Sequence, residues 1–344
     1  NVTANINSSN GNGLVCSNFA VDHSQLTVTV PNPAIQASNV ITLGCTAATD
    51  FIKATCTSSL TDSYYGTVKI ADGQTLYAGT NAYTGTLTDA ERQAIGGQKL
   101  TNVAPPTYDY IGLDGTGATH TAVVIDADNM PTSLSGWYIV QGTVNYTNTI
   151  NLGGDTHIIL ADNAVMNVTA SEGNYGIQST SGNNYSFFVY GQTGQSGELN
   201  VTSNSIACFI SGGDITIAGG KVTASGRIIG LYAQYTNNNG GNVTIKNATV
   251  TATGTSYFGI LSEYGGNITI DNSNVTATST GSSGIYAENG NITIASGTVT
   301  ASGSSTQFGI YTVYGSVTIN GGQVTTTVFF FFFFFFFFFF FFFF

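Results

Sequence analysis

Asn267-Ile-Thr-Ile270, then Val275-Thr-Ala-Thr278, then Gly284-Ile-Tyr-Ala287: these three phrases return in the same order about every 25 residues. The first recurs as Asp214-Ile-Thr-Ile217, Asn242-Val-Thr-Ile245, Asn291-Ile-Thr-Ile294 and Ser316-Val-Thr-Ile319. The second recurs as Val222-Thr-Ala-Ser225, Val250-Thr-Ala-Thr253, Val299-Thr-Ala-Ser302 and Val324-Thr-Thr-Thr327, and the third as Gly230-Leu-Tyr-Ala233, Gly259-Ile-Leu-Ser262 and Gly309-Ile-Tyr-Thr312. Three short β-prone runs per period, parted by Gly, Asn and Ser, predict a parallel β-helix with three strands per coil.

Side-chain alternation predicts the facing of each residue. Along a strand, successive side chains point to opposite faces, so Ile268 and Ile270 share one side and Thr269 takes the other. Stacked coils then build internal ladders: Val243, Ile268, Ile292 and Val317; Val250, Val275, Val299 and Val324; Ile260, Ile285 and Ile310. A single coil leaves its strand edges uncovered, so only the stack is stable.

Upstream the period blurs, but short strands persist in Gly136-Trp-Tyr-Ile-Val, Thr156-His-Ile-Ile-Leu-Ala-Asp-Asn-Ala, Tyr185-Ser-Phe-Phe-Val-Tyr-Gly-Gln and Glu198-Leu-Asn-Val-Thr. A Gly-Trp-Tyr strand, an Ile-Leu-Ala-Asp-Asn-Ala strand, a Val-Tyr-Gly-Gln segment and then Gly-Gly-Asn-Ile-Thr-Ile repeats resemble the secreted right-handed β-helix proteins of microbial cell surfaces, adhesin-like or carbohydrate-binding. The resemblance covers about residues 136–328. It implies a pectate-lyase-like superfold and an exported location, and it carries no single activity.

Residues 1–104 lie outside that resemblance. Alternation in Gln25-Leu-Thr-Val-Thr-Val30, Asn39-Val-Ile-Thr-Leu43 and Gly66-Thr-Val-Lys-Ile70 predicts a small β domain, with Gln25–Val30 offering its edge to another chain. Thr88-Asp-Ala-Glu91 reads as a capping box opening a helix over 89–95. Pro105-Pro106 marks a linker and lead-in over 105–135. The run Phe329 to Phe344 is set aside as chain of unidentified residue type, since no packed fold needs sixteen consecutive phenylalanines. Asn1 reads as the N-terminus left by processing.

Seven Lys and Arg stand against 18 Asp and Glu, a net charge of -11. With no basic cluster, nucleic acid is a poor partner, because binding phosphate chains depends on Lys and Arg displacing counterions. Before the phenylalanine run no apolar stretch approaches the roughly 18–20 residues of a membrane helix. Of four cysteines, Cys16, Cys45 and Cys56 cluster near the start and show no zinc spacing, so an exported protein would form one disulfide among them and keep one thiol spare for another subunit. Cys208, within Ser-Ile-Ala-Cys-Phe-Ile, reads as a small buried hydrophobe.

Candidate sites are few. Glu263 and Glu288 hold the same place in adjacent coils and could share a Ca²⁺ ion, although solvated turn residues are the plainer reading. His23, His120 and His157 show no metal spacing and no partner motif. Outward Thr251 and Thr253, with Thr276 and Thr278, form two columns that suit either an ice-binding face or simple β-propensity. Tyr232, Tyr286 and Tyr311 are expected to point outward, available to sugars or to a neighbouring subunit. Eleven Asn-x-Ser/Thr sequons, among them Asn145, Asn242 and Asn267, permit glycosylation.

The expected function is therefore a non-enzymatic, extracellular structural protein that assembles with copies of itself into a filament, sheath or layer and uses no cofactor. The alternative is a monomeric carbohydrate-binding adhesin.

Overall fold

The computed structural model describes residues 2–7, 13–22, 24–57, 63–79, 81–171, 173–179, 183–234, 236, 241–304 and 306–328. The phenylalanine run and His23 lie outside them. The chain forms an all-β parallel solenoid of about 12 turns, each of about 25 residues. It divides into two compact units, one of residues 1–108 with 121–123 and one of 109–120 with 124 onward.

The first unit is itself a short coil. Strands β1 (Val2–Asn7), β2 (Leu14–Val21), β3 (Ser24–Val30), β4 (Ile35–Leu43), β5 (Phe51–Cys56) and β6 (Tyr64–Ile70) alternate between two sheets. β1, β3 and β5 pair in parallel in one, and β2, β4 and β6 in the other. Alternation places Leu26, Val28 and Val30 inward against Ile41, Leu43, Ile52, Val68 and Ile70, all buried. Three short antiparallel strands, Leu76–Ala78, Asn81–Tyr83 and Lys99–Thr101, extend the first sheet beyond β5. The helix spans Asp89–Ala94, and both halves of its capping box form: Thr88 Oγ1 accepts from the Glu91 N–H at 3.3 Å, and the Thr88 N–H donates to Glu91 Oε2 at 2.7 Å.

Two expectations change here. Gln25–Val30 is not an edge, because it lies within β3 with β1 on one side and β5 on the other; β1 holds the outer place. The segment 105–135 is largely strand, Thr107–Ile111 pairing with Gly117–Thr121, followed by Val123–Ile125 and the start of Ser133–Val140.

In the second unit each turn contributes one strand to each of three faces. The second face is an eight-stranded parallel ladder from Thr143–Tyr146 to Gln323–Val328. The first and third faces form one continuous sheet because Ile150–Leu160 bends: Ile150–Leu152 pairs along the third face, and Thr156–Leu160 along the first. Register follows the sequence phrases. Val243, Ile268, Ile292 and Val317 are successive partners, as are Val250, Val275, Val299 and Val324, and Ile260, Ile285 and Ile310. Cys208 stands in the third-face inward ladder between Ile177 and Leu231, where burial pushes its thiol up to about 12.

The asparagine that opens each period also has a structural task. The backbone N–H of Asn267 donates to Asn242 Oδ1 at 2.9 Å, that of Asn291 to Asn267 Oδ1 at 2.9 Å, and that of Ser316 to Asn291 Oδ1 at 3.0 Å. Each side chain thus satisfies a corner N–H of the next turn that no strand partner reaches. The sequons at Asn242 and Asn267 are therefore occupied by this ladder.

Candidate functional site

The outward columns are where a solenoid can do chemistry, because its interior is filled. On the first face, Trp137, His157 and Phe188 are register partners, continued by Thr216, Thr244, Thr269, Thr293 and Thr318. The column is aromatic in the early turns and threonine in the later ones. Residues 109–120 lie on the aromatic part: His120 stacks on Trp137 at 4.0 Å between ring centres, Trp137 on His157 at 4.2 Å, and His157 on Phe188 at 4.3 Å. Tyr110 tilts against Trp137 and meets Tyr190 edge-on, while the Gln192 side chain donates to the Asp109 carbonyl at 3.0 Å.

His157 is thus clamped between two rings, with Nδ1 at 3.2 Å from the Tyr190 hydroxyl. Burial pulls it down to about 4, with the positive field of His120 acting in the same direction and Asp155 opposing. Burial likewise raises Tyr190 to about 12. A neutral imidazole held between rings is a packing element, and among the described residues no carboxylate hydrogen-bonds to it. Aligning Trp137-Tyr-Ile, His157-Ile-Ile and Phe188-Val-Tyr at the sequence level would have exposed this column; what concealed it was the irregular spacing of the early turns.

On the second face the threonine columns form as read. Thr223, Thr251, Thr276, Thr300 and Thr325 are successive partners, and beside them Ser225, Thr253, Thr278, Ser302 and Thr327. Further up, the first of these columns turns into asparagine at Asn145, Asn167 and Asn200, linked side chain to side chain at 2.8 and 3.1 Å.

The tyrosines behave differently from expectation. Tyr232, Leu261, Tyr286 and Tyr311 do share one outward column on the third face. Yet Tyr232 is 9% exposed, packed with Ile206, Ile229 and Leu261 in an external apolar cluster that also takes in Phe209, Phe258 and Tyr286. Phe258 stacks on Tyr286 at 4.6 Å and Tyr286 on Tyr311 at 5.5 Å, so the rings cover one another and Tyr232 is not open to a sugar.

Glu263 is turned to the preceding turn. It accepts from the Tyr232 hydroxyl and, at 3.2 Å, from the Gln234 amide, and burial together with that contact raises Tyr232 well above the usual phenol range. Glu288 follows in the next turn, but no group of three or more His, Cys, Asp or Glu side chains converges among the described residues. Among the described residues the calcium reading thus rests on two carboxylates, with no third His, Cys, Asp or Glu side chain beside them.

The cysteines are not joined in the structure. Cys16 is exposed on β2, with Sγ near the Gln36 carbonyl. Cys45 is buried, donates toward the Leu100 carbonyl and is pushed up to about 11 by burial and by Asp50 and Asp22, while Cys56 Sγ meets the Pro31 carbonyl at 3.2 Å. In this structure the three sulfurs of the expected disulfide face separate surroundings, one of them the core.

No helix among the described residues is long and apolar enough to cross a membrane. Comparison with known proteins finds no matching family model, curated relative or solved structure.

Proposed function

We propose that this is a non-enzymatic extracellular structural protein whose copies join end to end into a filament, sheath or layer. The observation that carries the reading is the state of the last described turn. Val317 and Ile319 belong to first-face inward ladders whose earlier members Val243, Ile268 and Ile292, and Ile245, Ile270 and Ile294, are 0% exposed, yet they are themselves 43% and 52% exposed. Phe308, Val313 and Tyr314, from the same turn, are also exposed. Among the described residues, the strands Ile310–Thr312, Val317–Ile319 and Gln323–Val328 have a partner on one side only, as do β1 and β2 in the first unit.

Among the described residues this turn leaves strand edges unpaired over exposed core residues, and such an edge is a template for one more parallel turn. If β1 and β2 of another copy supply it, the contact is head to tail, and such contacts propagate rather than close. The exposed Cys16, on β2, is then the one of the three N-terminal cysteines placed to lock the joint.

Negative-stain microscopy of the purified chain tests the reading. Ordered polymers that vanish in Val317→Asp with Ile319→Asp, while the monomer keeps its β-sheet circular dichroism, are the expected result. Dispersed particles under all conditions, with affinity for glycans, would instead favour the monomeric adhesin.

A further inference from the structure

Where the first and second faces meet, Gly115 in the loop of residues 112–116 flanks the corner of the later turns beside an open groove of about 580 Å³. Its floor is built from two repeated positions. Asn247 and Asn272 occupy the corner of successive turns, both at positive φ, 52° and 44°, which asparagine tolerates better than other side chains. Thr249, Asn274 and Thr298 follow as register partners on the adjoining strands, all three exposed. Ile111 supplies an apolar patch, and Gly115 and Gln195 close the wall.

The hydrogen-bonding state of this floor is distinctive. Asn272 Nδ2 donates to Asn247 Oδ1 at 2.8 Å, which fixes both amides. The Asn247 amide nitrogen and the Asn272 amide oxygen are left without a partner among the described residues, as are the side chains of Thr249, Asn274 and Thr298. Gln195, by contrast, is engaged at both ends, with the Gln192 carbonyl and the Gly220 N–H. The Gln195 side of the wall is satisfied, and the floor presents a donor and an acceptor fixed by the amide pair together with two hydroxyls.

Charge narrows the ligand. No ionised side chain lines the groove. The charges nearest in register, Lys246 and Lys221, are paired with Asp271 at 3.7 Å and Glu198 at 3.2 Å. A phosphate, sulfate or uronate would be desolvated here with no counter-charge, which is unfavourable. A polyhydroxylated neutral molecule finds alternating donors and acceptors repeated at about 4.8 Å along the axis, with Ile111 for an apolar ring face. The groove's volume also lies within the range of small-molecule sites.

We infer that this corner groove is a binding site for a neutral oligosaccharide, read by the Asn247–Asn272 amides and the hydroxyls of Thr249 and Thr298. The site is separate from the strand edges of the proposed assembly and from the aromatic column of the third face. Being open along one side, it binds weakly, with Kd on the order of 1 mM for a tetrasaccharide.

The test is ligand-observed NMR titration of the full chain with cellotetraose, maltotetraose and tetragalacturonate. Saturable binding of at least one neutral tetrasaccharide, with tetragalacturonate at least tenfold weaker, is expected. Thr249→Leu with Thr298→Leu removes two hydroxyls at exposed positions, and Asn272→Gly removes an amide while keeping the left-handed backbone; each should weaken binding at least tenfold with Tm unchanged. Absence of binding by both neutral sugars at 10 times the expected Kd, a preference for the charged one, or equal affinity in both variants would each overturn the assignment. Polymer formation is read separately by microscopy, so failure of this site and failure of assembly are distinguishable.

Discussion

The first face of the second unit is one column in one register, but its early and late turns carry different burdens. In the early turns Trp137, His157 and Phe188 stack on one another, with His120 and Tyr110 meeting Trp137, whereas Thr244, Thr269 and Thr293 have no ring contact among the described residues. Beneath both halves the interior is the same, with Ile158 and Val189 continuing into Ile217, Ile245 and Ile270. The inward residues thus fix the coil, while the outward residues decide what lies on top of it. An aromatic column is apolar enough to bind a hairpin, and a threonine column hydrates well and binds none.

The largest effect should come from the shared interior. Ile268→Asp in the late turns and Ile158→Asp in the early ones each place a carboxylate at a site 0–1% exposed, at a cost above about 4 kcal/mol. Thermal melting should fall by a similar amount in both, and a melt left unchanged in either would show that the halves do not share an inward ladder.

Outward substitutions should separate the halves. Trp137→Ala removes the ring between His120 and His157 and should cost about 2–3 kcal/mol, with faster hydrogen exchange across residues 107–121. Exchange in the hairpin as slow as in the parent would mean that something other than the stack holds it. Asn267→Ala in the late turns deprives the Asn291 N–H of its acceptor and should cost about 1–2 kcal/mol, measured by denaturant unfolding.

In the early turns acid should act through His157. His157 is held near 4, below its ordinary 6.5, so the unfolded chain takes up a proton before the folded one does. Stability is therefore full above about pH 6.5 and declines as the pH falls toward 4, by about 1–2 kcal/mol once discounted for the solvent that still reaches the ring. His157→Phe should flatten this part of the pH profile, and a profile identical to the parent's would remove His157 as its source. The smallest effect is reserved for Thr269→Ala, expected within about 0.5 kcal/mol because its side chain faces outward from the ladder between Thr244 and Thr293.

Sequence alone determined the three-phrase period, the direction each residue faces and the partner of each ladder residue in the late turns, because side-chain alternation and stacking repeat are local rules applied about every 25 residues. The capping box at Thr88 and the buried role of Cys208 were legible for the same reason. Three things were decided only by tertiary structure. The first unit proved to be a coil because β1 to β6 interleave across loops of unequal length, which no local pattern reports. Tyr232 lost its exposure to Ile206, Ile229 and Leu261, residues brought beside it by stacking rather than by sequence. The corner groove needed Gly115 in the loop at 112–116 to flank positions 247–298, an approach between segments more than 130 residues apart that depends on how the aromatic stack seats residues 109–120.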